Sequence, residues 1–208
     1  GPLTVGEAQT GRRSRGRFAL QHRATQIGLA AFLFLVSGFA ALVYQVIWQR
    51  MLAIFSGADV FSVTIVIAAF MGGLGCGNWV GGHVADRVSR ARCLALFALA
   101  ELAIGLFALC SKWLYYDVLY GQLGAFALPM PVLALVLFLA VVWPTFFMGV
   151  SLPLLARGLT ESLTSAARTV GSLYGWNTLG AAVGALVTTW FLLRRFDFPT
   201  ILAFGAVI

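Results

Sequence analysis

Seven acidic residues are available for acid–base or cation chemistry in this 208-residue chain, and only Glu101 falls near the middle of an apolar run. Glu7 belongs to a polar amino-terminal stretch, Asp59, Asp117 and Asp197 to the ends of apolar segments, and Asp86 and Glu161 to polar breaks. No two are placed to share a pocket, so a paired-carboxylate mechanism is not expected of this chain. A charged carboxylate at the centre of a membrane helix costs about 2.5 kcal/mol or more. Glu101 should therefore be protonated or paired, serving either as a cation or proton site or as an interhelical hydrogen bond that fixes packing. Tyr44 with Trp48, and Gln45 with Gln49, lie one helical turn apart ahead of Arg50. They suit either the entrance for a polar substrate or an interfacial belt that anchors a helix. Asn177, in "LYGWNTLG", is expected to hydrogen-bond across to a neighbouring helix.

Metal and thiol chemistry find little support. Cys76, Cys93 and Cys110 have no metal-ligand spacing. Cys93 and Cys110, on one helix, would stand about 25 Å apart, beyond disulfide reach. All three read as small apolar fillers. His22 and His83 lie beside basic loops, which suits a solvated or headgroup-facing role, and too few ligands exist for zinc. No metal or cofactor is expected in this chain.

The stretch "MGGLGCGNWVGGHVADRVSR", Met71 to Arg90, is rich in glycine. A dinucleotide fingerprint needs a third glycine after Gly75 and Gly77, but Val80 stands there, and an apolar span rather than a strand precedes it. Gly73, Gly77 and Gly81 instead recur every four residues, with Ala69 one step earlier, as a stripe that lets two helices approach to backbone contact. Gly171 with Gly175 and Gly180 with Gly184 are expected to repeat the device.

The elements that carry these residues follow from composition. Hydrophobic residues make up 61% of the chain and charged ones 10%, and the mean hydropathy is +0.93, outside the soluble globular range. Apolar runs of about 20 residues, enough to cross roughly 30 Å of hydrocarbon, place spans at 27–51, 60–82, 93–111, 131–155 and 170–193, with a sixth from 199. Residues 1–26 form a basic tail for which composition predicts disorder, and 27–208 a transmembrane helical domain. Gly1-Pro2 reads as a processing remnant, and Ile208 falls inside an apolar run, so the domain is expected to be incomplete at its carboxyl end. "KWLYYDVLYGQLGAFALPMP" reads as an interfacial helix or loop, with Trp113, Tyr115, Tyr116 and Tyr120 in the headgroup zone. Pro144 and Pro153 should kink the fourth span.

Orientation follows the basic residues. With the tail inside, Arg12, Arg13, Arg15, Arg17, Arg23, Arg87, Arg90, Arg92, Arg157 and Arg168 fall on the cytoplasmic side, against Arg50, Lys112, Arg194 and Arg195 outside. The formal net charge of +7 thus serves topology and anionic lipid. Nucleic acid is not an expected partner, since no basic platform with interleaved aromatics is visible.

"GHVADRVSRAR" resembles the major facilitator loop between that family's second and third helices. Gly82, Asp86, Arg87 and Arg90 match it, while Ser89 and Ala91 depart from it. "SGFAALVYQVIWQRML", "PTFFMGVSLPLLARGL" and "VGSLYGWNTLGAAVGAL" together resemble the membrane domain of bacterial spermidine-synthase-like proteins, which fuse a major-facilitator-type domain to a soluble Rossmann-like one. The resemblance covers roughly residues 27–193. It implies an all-α polytopic bundle of about six spans, a major-facilitator-like half, in the bacterial inner membrane with its amino terminus cytoplasmic. By the same resemblance it would anchor or feed a cytoplasmic aminopropyltransferase-like domain acting on polyamines. No catalytic residue carries over, and this chain alone is not expected to catalyse that reaction. Its expected partners are the bilayer and either that soluble domain or other membrane subunits. A transporter half for a cationic or small amphipathic metabolite and a structural subunit of a membrane complex are the alternatives.

Overall fold

The structure, a computed structural model, describes the backbone of residues 5–56, 60–123, 128–159 and 163–207, with side chains for Thr25, 28–54, 60–61, 63–122, 128–159 and 170–207. The side chains of the tail cluster, His22, Arg168, Glu161 and Asp59 lie outside that set, as does Ile208. Six helices and no strand are found among the described residues: α1 (Val5–Ser56), α2 (Val60–Arg87), α3 (Arg90–Lys112), α4 (Met130–Leu159), α5 (Leu163–Val187) and α6 (Phe198–Val207). Five are long and apolar enough to cross a membrane, over Gly28–Ile54, Val63–Arg87, Arg90–Gln122, Met130–Leu159 and Val170–Arg195. The chain is an all-α helical bundle of the multi-pass membrane type. Large apolar side chains such as Trp79, Leu186 and Trp190 remain exposed on it, as a lipid-facing surface requires.

Two expectations about the elements are corrected. The helical backbone of α1 reaches back to Val5, across the tail where composition predicts disorder; its arginines, alanines and glutamines are straight-chain or small residues that lose little freedom in a helix. The aromatic stretch after α3 is a π-helical continuation, Trp113–Leu123, rather than a separate interfacial element. The combined helix Arg90–Gln122 has 33 residues, about 50 Å at the α-helical rise, so its last turns extend past the hydrocarbon. Trp113, Tyr116 and Tyr120 are exposed there, but Tyr115 is 1% exposed and belongs to the core.

Glycines set the tightest pairings. A methyl built at Gly73 would meet Thr145, at Gly77 the Phe146 carbonyl, and at Gly81 the Val150 backbone, while Gly149 lies over Leu74 in return. Contacts that rise together along α2 and α4 make the two helices parallel, as alternating passes of the membrane demand. Gly180 against Leu35 and Gly184 against Phe39 join α5 to α1 in the same way, with Gly38 beneath the Asn177 carbonyl. Gly171 and Gly175 face open space, contrary to expectation. Each stands nine residues from its counterpart in the packed pair, which at 3.6 residues per turn is the opposite face.

Helix α3 runs antiparallel to α4 and is tied to it at both ends. Arg90 Nε donates to the Gly158 carbonyl at 3.3 Å, a cation at the carboxyl end of a helix. At the far end the Tyr115 hydroxyl donates to the Ala140 carbonyl at 2.7 Å. That carbonyl is the one Pro144, inside α4, cannot serve, because proline has no N–H to return to the residue four earlier. The core centres on Val43, Ile47, Trp48, Leu137, Val141 and Ile201.

Candidate functional site: a cleft around Glu101

Along α1, Ser37 and Tyr44 are seven residues apart and share a face, with the short Ala40 and Ala41 between them. Ala98, Glu101 and Gly105 of α3 face that strip, and small side chains on both walls leave a cleft of about 470 Å³. Met148 of α4 and the last residues of α6, Gly205 to Val207, complete it. Leu33 and Leu102 on its lining are exposed, so the mouth opens on the outer surface of the bundle between α1 and α3.

Glu101 is half-buried in this cleft. Ser37 Oγ donates to its Oε1 at 3.4 Å, and Ser151 of α4 also hydrogen-bonds the carboxyl. Ser151 Oγ also lies 3.1 Å from the Phe147 carbonyl, to which it can donate in turn. The carboxyl thus joins three helices, and among the described residues no basic one lines the cleft.

Tyr44 is buried and stacked on Trp48, with ring centroids 5.3 Å apart. Trp48 Nε1 donates to Ser111 Oγ at 3.0 Å, Ser111 Oγ donates to the Ala108 carbonyl at 2.7 Å, and Phe107 meets the indole edge-on at 5.4 Å. The interfacial-belt reading of Tyr44 and Trp48 is therefore corrected: a core that offers the indole a hydrogen-bond acceptor holds them as well as a headgroup zone would. Gly205 makes room for the Tyr44 ring, whose Cε1 would lie 2.7 Å from a methyl there.

Of the residues singled out from the sequence, Glu101 and Tyr44 come together, while Gln45 and Asn177 do not line the cleft. Asn177 meets Gly38 through its carbonyl oxygens. Gly82, Asp86, Arg87 and Arg90 surround a tight break between α2 and α3; a methyl at Gly82 would meet no described neighbour within 4 Å, and Asp86 and Arg87 are exposed. His83 is exposed beside Trp79, its Nδ1 2.9 Å from the Trp79 carbonyl. Cys93 is buried, whereas Cys76 and Cys110 are exposed and fill no gap. No group of three or more metal-binding side chains occurs among the described residues. Ser37 was not singled out from the sequence, although its register seven residues before Tyr44 is visible there. Ser151, four residues after Phe147 in an apolar helix, carries no such signal, because only the packing of α4 against α3 brings it to the carboxyl. Comparison with family models, curated proteins and solved structures finds no match to this chain.

Proposed function

We propose that the chain is the membrane domain of a spermidine-synthase-like protein, anchoring or feeding a cytoplasmic aminopropyltransferase-like domain, and that the Glu101 cleft is its small-molecule site. The observation that carries the reading is a carboxyl-bearing cleft of about 470 Å³ inside an apolar bundle, within the roughly 300–1,000 Å³ usual for ligand sites. A lone acid among apolar walls selects cations. The test is equilibrium dialysis of radiolabelled amines, from butylammonium to putrescine and spermidine, against the protein in lipid nanodiscs. Saturable binding of at least one, lost in a folded Glu101→Gln variant, supports the reading; no binding across the panel, or binding indifferent to Glu101→Gln, ends it.

A major-facilitator-like transporter half is the second reading. Pro144 and Pro153 flank Met148 and Ser151, the α4 residues that reach the cleft and Glu101, so a bend in α4 would move the site. Glu101-dependent uptake into proteoliposomes would favour it.

The bias of ten basic residues against four supports an amino terminus on the cytoplasmic side, and the resemblance supports the inner membrane of a bacterium. Buried Cys93 cannot report on this. After Cys76 and Cys110 are replaced by serine, Trp113→Cys should react with an impermeant thiol reagent in intact cells and Asp86→Cys should not; the opposite pattern reverses the orientation.

A further inference from the structure

Resting on the reading of the cleft as a ligand site, we infer that it holds a single-headed alkylammonium, one cationic head with an apolar remainder, rather than a diamine or polyamine. Among the described residues, Glu101 is the only acid on the lining, and Ser37 and Tyr44 supply its only other polar side chains. Everything else there is aliphatic, aromatic or glycine, from Leu33 and Val36 to Phe97 and Ile104. One carboxylate neutralises one ammonium, and Ser37 Oγ and the Tyr44 hydroxyl are placed to accept its remaining N–H groups. The Tyr44 hydroxyl lines the same cleft, and no second acid does among the described residues.

A second ammonium four carbons along has no counter-charge in the lining, and an unpaired cation against apolar walls is expensive. An alkyl tail, by contrast, removes apolar area from water along both walls. The mouth between Leu33 and Leu102 faces the lipid side of α1 and α3, so the tail can enter from the bilayer while the head is drawn to Glu101. A neutral alcohol of the same length gains the walls but not the carboxylate.

The experiment uses the full chain in nanodiscs and compares propyl-, butyl-, pentyl- and hexylammonium with putrescine and butanol, by dialysis with correction for empty nanodiscs. Affinity should rise roughly fourfold per added methylene until the cleft is full. Putrescine should bind at least tenfold more weakly than butylammonium. Glu101→Gln, checked for folding by gel filtration and thermal unfolding, should weaken butylammonium by about thirtyfold or more and leave butanol unchanged. Putrescine binding as tightly as butylammonium, still dependent on Glu101, would overturn the single-headed assignment while the ligand site stands. Binding by no amine would remove the ligand site itself.

Discussion

Replacing Tyr115 by Phe removes one oxygen from a residue that is 1% exposed and keeps the ring packed edge-on to Phe107 at 6.3 Å. The hydroxyl's role is to donate to the Ala140 carbonyl at 2.7 Å, which Pro144 leaves without its helical partner. The change should therefore strand a carbonyl in an apolar interior, at a cost of about 1–3 kcal/mol. At roughly 2–4 °C per kcal/mol for a protein of this size, thermal unfolding in detergent should fall by several degrees. Pro144→Ala restores an N–H to that same carbonyl. In the Pro144→Ala background, Tyr115→Phe should then cost well under half as much, because Ala140 keeps a backbone partner whichever residue stands at 115.

The double-mutant cycle isolates this dependence from whatever Pro144→Ala does to the helix on its own. Coupling of about 1–2 kcal/mol is expected, inside the range for residues that share a hydrogen-bond partner. Additivity within about 0.5 kcal/mol, the behaviour of independent sites, would refute the argument that the tyrosine substitutes for the missing amide. A fall in stability for Tyr115→Phe that is the same in both backgrounds would assign Tyr115 to ordinary packing.

Gly77→Leu should prevent folding or lower the unfolding temperature sharply, since the side chain would enter the Phe146 and Gly149 backbone, whereas Gly75→Leu, into open space, should be mild; equal thermal stability of the two would sink the packing argument. Thr188 Oγ1 is buried without a partner among the described residues, so Thr188→Val should match or exceed the wild-type unfolding temperature, and a clear loss would mean the hydroxyl has a partner. Asp197 precedes α6 and accepts from Ile201 N–H at its carbonyl, while its carboxylate, hydrogen-bonded by Thr200, is held below its ordinary value of 3.8. A lowered folded value means that this contribution is complete above about pH 4 and lost as pH falls through the folded value. Protection of the α6 amides, taken as exchange relative to the intrinsic rate at each pH, should fall in that acidic window and stay constant there in Asp197→Asn; identical profiles would remove the cap.

The spans were legible because length and hydropathy are properties of one segment, needing no partner. Helix α2 begins at Val60 and α5 passes through Val170 as the apolar runs indicate, since neither depends on which neighbour is met. The glycine stripes were legible only in part. Gly73, Gly77 and Gly81 carry one register, and any partner on that face uses all three; in α5 two registers compete, and only the backbone of α1 decides that Gly180 and Gly184 are covered and Gly171 and Gly175 are not. Tyr44 and Trp48 failed for a related reason. An aromatic with a polar edge satisfies itself equally against headgroups or against Ser111, and Ser111 lies 63 positions away in the chain.

Small residues thus lead to opposite results in the same bundle. Gly77 meets Gly149 and the helices close on each other; Ser37, Ala40 and Ala41 meet Ala98 and Gly105 and the helices stand apart. The difference lies in what flanks each strip. Around Gly77 the neighbours along the interface are again small, Gly73 and Gly81, so nothing holds α2 away from α4. The α1 strip is bounded by Tyr44, whose ring is wedged against Gly205 of α6, and it faces Phe97 and Met148 from α3 and α4. Those three large side chains act as spacers, and a carboxyl placed between them can be reached from outside while its Ser37 and Ser151 partners keep it attached to α1 and α4. Closing the gap would require Tyr44 to leave Trp48 and Gly205 together, so the cleft is built into the packing of the aromatic core.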